Sequence, residues 1–159
     1  EFKLSNCGML AMDTMRMESG YLHWGHDMSP EENQYQAGLQ FAISYKKNID
    51  FIGKKALLRI RDNKIDKKLV MITLNDSKPG EPLLLHDEPI YKDNEIIGRT
   101  TSGNFSFNFN KNLAFGYVNS KFLLKENTTE QKLFIEVEKK KYPATVISKP
   151  LNSKNIRLL

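Results

Sequence analysis

The chain has 159 residues and a formal net charge of +5, with 40% hydrophobic and 27% charged residues. This length suffices for one domain or two small lobes, and the composition excludes a disordered or fibrous protein. The single cysteine, Cys7, excludes an internal disulfide and a cysteine-rich zinc site. The sequence contains no apolar run near the roughly 20 residues of a membrane-spanning helix and no signal-peptide pattern. We therefore expect a soluble, intracellular protein without a membrane partner.

The positive charge is carried mostly by lysine. Only five of the 24 basic residues are arginines, and the lysines are spread along the chain. Arginine is the residue that favours base readout and bidentate phosphate binding. We therefore expect a solvated lysine-rich surface and no nucleic-acid partner.

The first predicted element is a helix over residues 7–18. Leu10, Thr14 and Met17 share one of its faces, and Gly20 stands where a helix usually stops. Three further methionines extend that face: Met9, Met12 and Met15.

Two more elements are predicted before residue 62. Residues 39–45 alternate strictly, which predicts a half-buried strand with Phe41 on the apolar face. Residues 52–61 follow a possible cap at Asp50 and predict a helix, with Ile52, Ala56 and Ile60 on its inner stripe.

From about residue 66 the chain reads as short strands separated by turns. Asp93-Asn94 predicts a hairpin turn, a second hairpin is expected across residues 139–141, and Pro143 predicts a position near a sheet edge. The predicted strands cover residues 69–74, 89–92, 95–101, 113–118, 133–137 and 142–148. Five or six antiparallel strands in this length indicate a small barrel or sandwich, so the expected fold class is α+β.

A dense group of polar and aromatic residues follows the first helix. His23, His26 and Asp27 are potential metal ligands, but an extended segment would point the two histidines to opposite sides, and His86 is far along the chain. We therefore expect no metal site, and a connector that packs Trp24.

Arg16 lies near the end of the first helix and has two possible roles. It can hold Asp13 one turn back and complement the helix dipole, or it can bind the carboxylate of a ligand.

Familiar catalytic motifs are absent from the sequence. It contains no phosphate loop, no dinucleotide-binding glycine fingerprint and no nucleophile elbow, and no carboxylate pair stands out. The hydroxyl-rich run at residues 100–104 matches none of these motifs. The chain is therefore expected to hold no complete catalytic set.

Several segments, in order, resemble the glycine-cleavage T-protein superfamily. Residues 15–21 (MRMESGY) resemble its LRLEAGY element, and residues 24–28 (WGHDM) resemble its WGHDL element. Further matches are AGL at residues 37–39, DFIGKKAL at 50–57, TSG at 101–103, LAFGYV at 113–118, YPA at 142–144 and PL at 150–151. Residues 100–107 (TTSGNFSF) are most similar to the dimethylglycine and sarcosine dehydrogenases and oxidases of this superfamily.

The resemblance implies a domain organisation and an activity. Residues 1–61 would form the end of a folate-binding domain, and residues 62–159 a C-terminal antiparallel β-barrel. The intact enzyme would use FAD in an N-terminal domain to oxidise a small N-methylated amino acid. It would pass the carbon to tetrahydrofolate as 5,10-methylenetetrahydrofolate. A T-protein aminomethyltransferase and a non-catalytic folate-binding module are the alternatives.

The resemblance also implies which residues bind folate. Arg16, Trp24, Phe41 and Tyr21 match folate-site positions, whereas the catalytic aspartate would lie upstream of Glu1. The chain would then pack on N-terminal domains that it does not contain. By itself it would be inactive and bind folate weakly. The protein would be cytoplasmic in a bacterium or lie in the mitochondrial matrix of a eukaryote.

Overall fold

The computed structural model describes residues 3–47, 49–123, 132–147 and 151, and it has the expected α+β architecture. Its helices are α1 (Met9–Glu18) and α2 (Lys54–Asp62), with short 3₁₀ turns at Gln40–Ala42 and Ser120–Phe122. Its strands are β1 (Lys67–Leu74), β2 (Pro89–Lys92), β3 (Glu95–Ser106), β4 (Lys111–Asn119), β5 (Lys132–Val137) and β6 (Lys140–Ile147). Ser148, where the last predicted strand ends, and Pro150, in the PL match, lie outside the described residues.

The six strands form a closed antiparallel barrel in the order β1-β4-β3-β2-β5-β6. Closure decides between the two predicted architectures in favour of the barrel. Alternate side chains of each strand point inward, as a period of two requires. Together with Leu84 of the segment between β1 and β2, they fill the interior with the residues Ile72, Leu74, Ile90, Ile97, Ala114, Val118, Leu133, Ile135, Val137 and Ala144. None of the described helices is long and apolar enough to cross a membrane.

Both predicted hairpins are confirmed. The β2–β3 turn closes where Lys92 pairs with Glu95. The β5–β6 turn runs through Glu138 and Lys139, which both have positive φ values of 50° and 64°. Two successive positive φ angles are typical of the type I′ turn, which matches the twist of the flanking strands.

The predicted edge position of Pro143 is wrong, because β6 lies between β1 and β5 in a closed barrel. The pairing of β6 with β1 nevertheless ends at Ala144, opposite Leu74. Pro143 therefore needs no N–H for β1, and its carbonyl accepts a hydrogen bond from the Asn75 N–H at 3.0 Å.

The predicted strand over residues 39–45 is also wrong. Gly38 has a φ of +74° and Leu39 a ψ of 12°, so the backbone turns into the 3₁₀ segment Gln40–Ala42. Alternation creates a strand only where a neighbouring strand supplies hydrogen bonds. The barrel closes without this segment, and Phe41 is exposed.

Helix α2 is confirmed, but its predicted inner stripe is not. Gly53, with a φ of +89°, is the residue before the helix, so Ile52 lies outside α2 and is fully exposed. No residue of α2 is buried.

Helix α1 packs on the outer wall of the barrel, against β3 and β4. Met17 is buried there in a second apolar cluster with Met71, Leu113 and Phe115. Leu10, on the same predicted face as Met17, is exposed. The large exposed apolar side chains of α1 are Met9, Leu10, Met12 and Met15. We call these four side chains the outer face of α1.

Candidate functional site

The centre of the site is the carboxylate of Asp27, which has no solvent exposure. Its Oδ2 accepts hydrogen bonds from Arg16 Nη1 at 2.5 Å and from the His23 N–H at 2.9 Å. Its Oδ1 accepts from Thr101 Oγ1 at 2.5 Å and from Ser102 Oγ at 2.7 Å. A buried carboxylate is tolerated when a cation and several donors compensate its lost hydration, and all of these are present here.

A β-bulge explains how two consecutive residues of β3 reach the same carboxylate. Successive side chains of a regular strand point to opposite faces. The register between β3 and β4 shifts between Thr100 and Ser102, so Thr101 is an extra residue in the strand. Bulges redirect side chains, and this one lets both hydroxyls face Asp27. The hydroxyl-rich run that matched no catalytic motif therefore has a structural partner.

Arg16 is held on several sides, and its side chain is only 15% exposed. Besides Asp27, its Nε donates to Asp13 Oδ1 at 2.6 Å and its Nη2 to Ser102 Oγ at 2.8 Å. Its Nη1 also donates to the Tyr21 carbonyl at 3.3 Å. A guanidinium has five N–H groups; four of them donate to these described partners, which leaves one on Nη2. The structural role that the sequence suggested for Arg16, a bond to Asp13 one turn back, is therefore present, and one N–H has no described partner.

The predicted aromatic residues of the folate site are mostly in solvent. Tyr21 is 55% and Trp24 63% exposed. Tyr21 touches Arg16 through its carbonyl, and Trp24 lies in the loop that the contacts between His23 and Asp27 close. The expectation that the connector packs Trp24 is therefore wrong.

Phe41 is 83% exposed, and no described contact joins it to Arg16, Tyr21 or Trp24. Tyr21 and Trp24 thus share the connector that follows α1, Arg16 at the end of α1 contacts the Tyr21 carbonyl, and Phe41 lies apart from them.

The histidines are closer together than the sequence suggested. The rings of His23 and His26 stack at 4.7 Å, and His86, although far along the chain, meets His26 edge-on at 6.1 Å. Among the described residues no group of three histidine, cysteine or acidic side chains is arranged to hold a metal ion. Asp27, the remaining candidate ligand, already accepts bonds from protein donors on both oxygens.

Glu18 is a second buried carboxylate, and sequence reasoning missed it. It is 2% exposed and accepts from Ser106 Oγ at 2.5 Å and Asn108 Nδ2 at 2.8 Å. The only sign of its burial in the sequence was its position on the same side of α1 as Thr14 and Met17, and that side was interpreted as apolar. The carboxylates Asp27 and Glu18 together attach α1 and its connector to β3.

Two further contacts lie next to the Asp27 loop: one from the Tyr117 hydroxyl and one between Lys67 and Glu32. The Tyr117 hydroxyl donates to the Asp27 carbonyl at 2.9 Å, and burial, with the nearby charges of Glu32 and Asp27, raises the pKa of Tyr117. Lys67 Nζ lies 2.8 Å from Glu32 Oε1. Burial acts to raise the pKa of Glu32, but the hydrogen bonds from Lys67 and Ser29 and the Lys67 charge outweigh it, so that pKa is lowered.

The fold and these contacts define a class of protein: a closed antiparallel barrel that carries α1 and the connector after it on its outer wall. Two family models match the chain. The glycine cleavage T-protein C-terminal barrel domain matches residues 67–152, and the GCVT N-terminal domain matches residues 1–47. The chain therefore belongs to the glycine cleavage T-protein family.

Individual relatives are similar over most of the chain. Human mitochondrial dimethylglycine dehydrogenase is 34% identical over 93% of the chain, and an aminomethyltransferase of Symbiobacterium thermophilum is 40% identical over 70%. The crystal structure of aminomethyltransferase T of the Bartonella henselae glycine cleavage system superposes with a TM-score of 0.77 at 25% identity, over 90% of the chain.

These relatives are enzymes, and they are much longer. The chain spans 16% of the human protein, 29% of the Symbiobacterium protein and 38% of the Bartonella structure.

Proposed function

We propose that this chain supplies one wall of a tetrahydrofolate site in an N-methylglycine dehydrogenase. The enzyme would oxidise dimethylglycine or sarcosine and pass the carbon to folate. The observation that carries the proposal is that Tyr21 and Trp24 are exposed on the connector whose Tyr21 carbonyl Arg16 contacts, while Arg16 keeps one N–H free of described partners.

These residues suit folate chemically. Its planar ring system can stack on exposed aromatic side chains, and its glutamate carboxylates suit a guanidinium donor. When bound, tetrahydrofolate supplies the nitrogen atoms that accept a one-carbon unit. Trp24 and Tyr21 would hold the rings, and Arg16 would donate to the ligand. Phe41 stays a proposed member of the site without a described contact to the others.

Flavin does not suit this chain. The sequence lacks the glycine turn that receives a dinucleotide phosphate, and we assign FAD to a separate domain of the intact enzyme. No catalytic residue is proposed among residues 1–159. We expect the chain alone to be inactive and to bind folate weakly, because it offers one wall of the site.

The outer face of α1 supports a partner within the same protein. Four apolar side chains of a ten-residue helix are in solvent, although burial of apolar area is what stabilises such a helix. Because the relatives extend far beyond the matched stretch, we propose that the remainder of the GCVT N-terminal domain covers this face.

Calorimetric titration of tetrahydrofolate into the intact protein tests the folate site. We expect Trp24→Ala to weaken binding about tenfold or more. The variant loses the stacking energy of about 1 kcal/mol and, in addition, the free energy of burying apolar area. Phe51→Ala removes an exposed aromatic side chain from another connector and should leave affinity unchanged. Equal affinities of the wild-type protein and Trp24→Ala would contradict the assignment.

A T-protein aminomethyltransferase is the second candidate, favoured by the 40% identity to the Symbiobacterium protein and by the Bartonella structure. The intact protein would be given dimethylglycine or sarcosine with an electron acceptor, and separately an aminomethylated lipoyl carrier protein with tetrahydrofolate. Oxidation in the first assay supports the dehydrogenase. Transfer in the second assay alone supports the aminomethyltransferase, and folate binding without either supports a non-catalytic module.

A further inference from the structure

We propose that Asp27 is a positioning residue that fixes the orientation of the Arg16 guanidinium toward bound folate. The inference rests on the proposed function, because it takes Arg16 as a ligand-binding residue. It adds a residue that contacts no ligand and acts through Arg16.

A closed ring of three hydrogen bonds carries the proposal. Arg16 Nη1 donates to Asp27 Oδ2 at 2.5 Å, and Arg16 Nη2 donates to Ser102 Oγ at 2.8 Å. Ser102 Oγ in turn donates to Asp27 Oδ1 at 2.7 Å. Both terminal nitrogens of the guanidinium are therefore fixed relative to one carboxylate. The plane of the group is set, and so is the direction of its remaining N–H on Nη2.

The carboxylate itself is fixed from outside this ring. Thr101 Oγ1 and the His23 N–H also donate to Asp27, and its carbonyl accepts from the Tyr117 hydroxyl. Because Thr101 belongs to β3 and Tyr117 to β4, the barrel wall sets the position of Asp27. Orientation of a binding group before the ligand arrives lowers the ordering cost of binding.

Because the site is buried, the negative charge of Asp27 strengthens its hydrogen bond with Arg16. Asp27 is fully buried and Arg16 nearly so, and charge-assisted hydrogen bonds are about twice as strong as neutral ones. Asp27→Asn retains an oxygen for Arg16, while its amide can donate to the Thr101 and Ser102 hydroxyls. The variant is thus expected to fold and to hold Arg16 less firmly.

The test is a double-mutant cycle on the affinity of the intact protein for tetrahydrofolate, measured by calorimetry. We expect Asp27→Asn to weaken binding about tenfold in the wild-type background and not at all in the Arg16→Gln background. A merely structural role would weaken both backgrounds by the same factor.

Glu18→Gln is the matched control. Glu18 is also a buried carboxylate that joins the α1 region to β3, but its partners are Ser106 and Asn108. We expect this variant to lower the melting temperature about as much as Asp27→Asn, with folate affinity within about twofold of wild type. An equal loss of affinity in Glu18→Gln would overturn the proposal, since general destabilisation would then explain both.

The remaining outcomes are distinct. A wild-type protein that does not bind tetrahydrofolate overturns the proposed function and this inference with it. If the wild-type protein binds tetrahydrofolate and Asp27→Asn binds it equally well, the inference alone is overturned. The same holds if the losses of affinity in Asp27→Asn and Arg16→Gln are additive.

If Asp27→Asn does not fold, Ser102→Ala replaces it, because this variant keeps the charge pair of Arg16 and Asp27 and opens the ring of hydrogen bonds. We then expect a severalfold loss that vanishes in Arg16→Gln, and an unchanged affinity would overturn the proposal.

Discussion

At the scale of single residues, the junction between α1 and the barrel depends on buried polar groups. Asp27 and Glu18 are 0% and 2% exposed, and both accept hydrogen bonds from hydroxyls of β3. Among the described residues, the buried apolar cluster at this junction is the small one around Met17. Directional bonds of this kind fix the orientation of a helix more narrowly than apolar contact does, since each carboxylate fits only one set of donors.

The contact between Glu32 and Lys67 predicts a pH dependence. The pKa of Glu32 lies below its ordinary value of 4.5, so its stabilising effect is complete above that value and lost as the pH falls through the lowered pKa. Glu32→Gln should reduce the free energy of unfolding by about 1 kcal/mol at pH 7. Urea denaturation at a series of pH values measures this.

The neighbouring Glu31 is exposed, and its side chain has no described partner, so Glu31→Gln is the control and should change little at any pH. A deficit in Glu32→Gln that stayed constant down to pH 3 would contradict the assignment of the pKa.

At the scale of elements, close approach of backbones decides which residue a strand position accepts. Gly98 of β3 pairs with Val118 of β4. A Cβ at Gly98 would lie 2.0 Å from the Tyr117 carbonyl oxygen and 3.0 Å from the Val118 Cα. These are backbone atoms that cannot rotate away, so only a shift of one strand would admit a side chain.

Gly98→Ala is therefore expected to destabilise the protein by about 3 kcal/mol or more. Ile96→Ala, in the same strand but exposed, should cost less than about 1 kcal/mol. Both values come from denaturant unfolding. A loss below about 0.5 kcal/mol in Gly98→Ala would show that β3 and β4 separate more easily than their register indicates.

At the scale of the whole molecule, the apolar surface is divided between a filled barrel interior and the outer face of α1. The interior explains the stability of the barrel, whereas the outer face is in solvent. A contiguous exposed apolar surface on a helix is typical of an interface, which is why we propose that another domain covers it.

Methionine oxidation by dilute peroxide distinguishes the covered from the uncovered state. In the 159-residue chain we expect Met9, Met12 and Met15 to be oxidised much faster than Met17, because oxidation of methionine follows exposure. In the intact protein the three outer methionines should be protected severalfold, and Met17 serves as the internal reference. Mass spectrometry of peptides reads each site. Equal rates in both proteins would contradict coverage of this face.

The sequence by itself determined the barrel strands and both hairpins, because alternation and turn residues are local signals. Resemblance in its short motifs determined the family, since matches such as those at residues 15–21 and 24–28 recur in order along the chain. The sequence did not reveal that residues 39–45 form no strand, because their alternation is that of a strand but no strand of the described fold pairs with them.

Only the tertiary structure decided the environment of Asp27. Its donors Thr101 and Ser102 are more than 70 residues away in sequence, and a bulge turns both toward it. It also decided that Arg16 both holds the helix and keeps one N–H without a described partner. It decided, too, that Met9, Met12 and Met15 face solvent while Met17 is buried. The physical reason is the same in each case: burial and hydrogen bonding depend on which distant strand lies opposite, and closure of the barrel settles that.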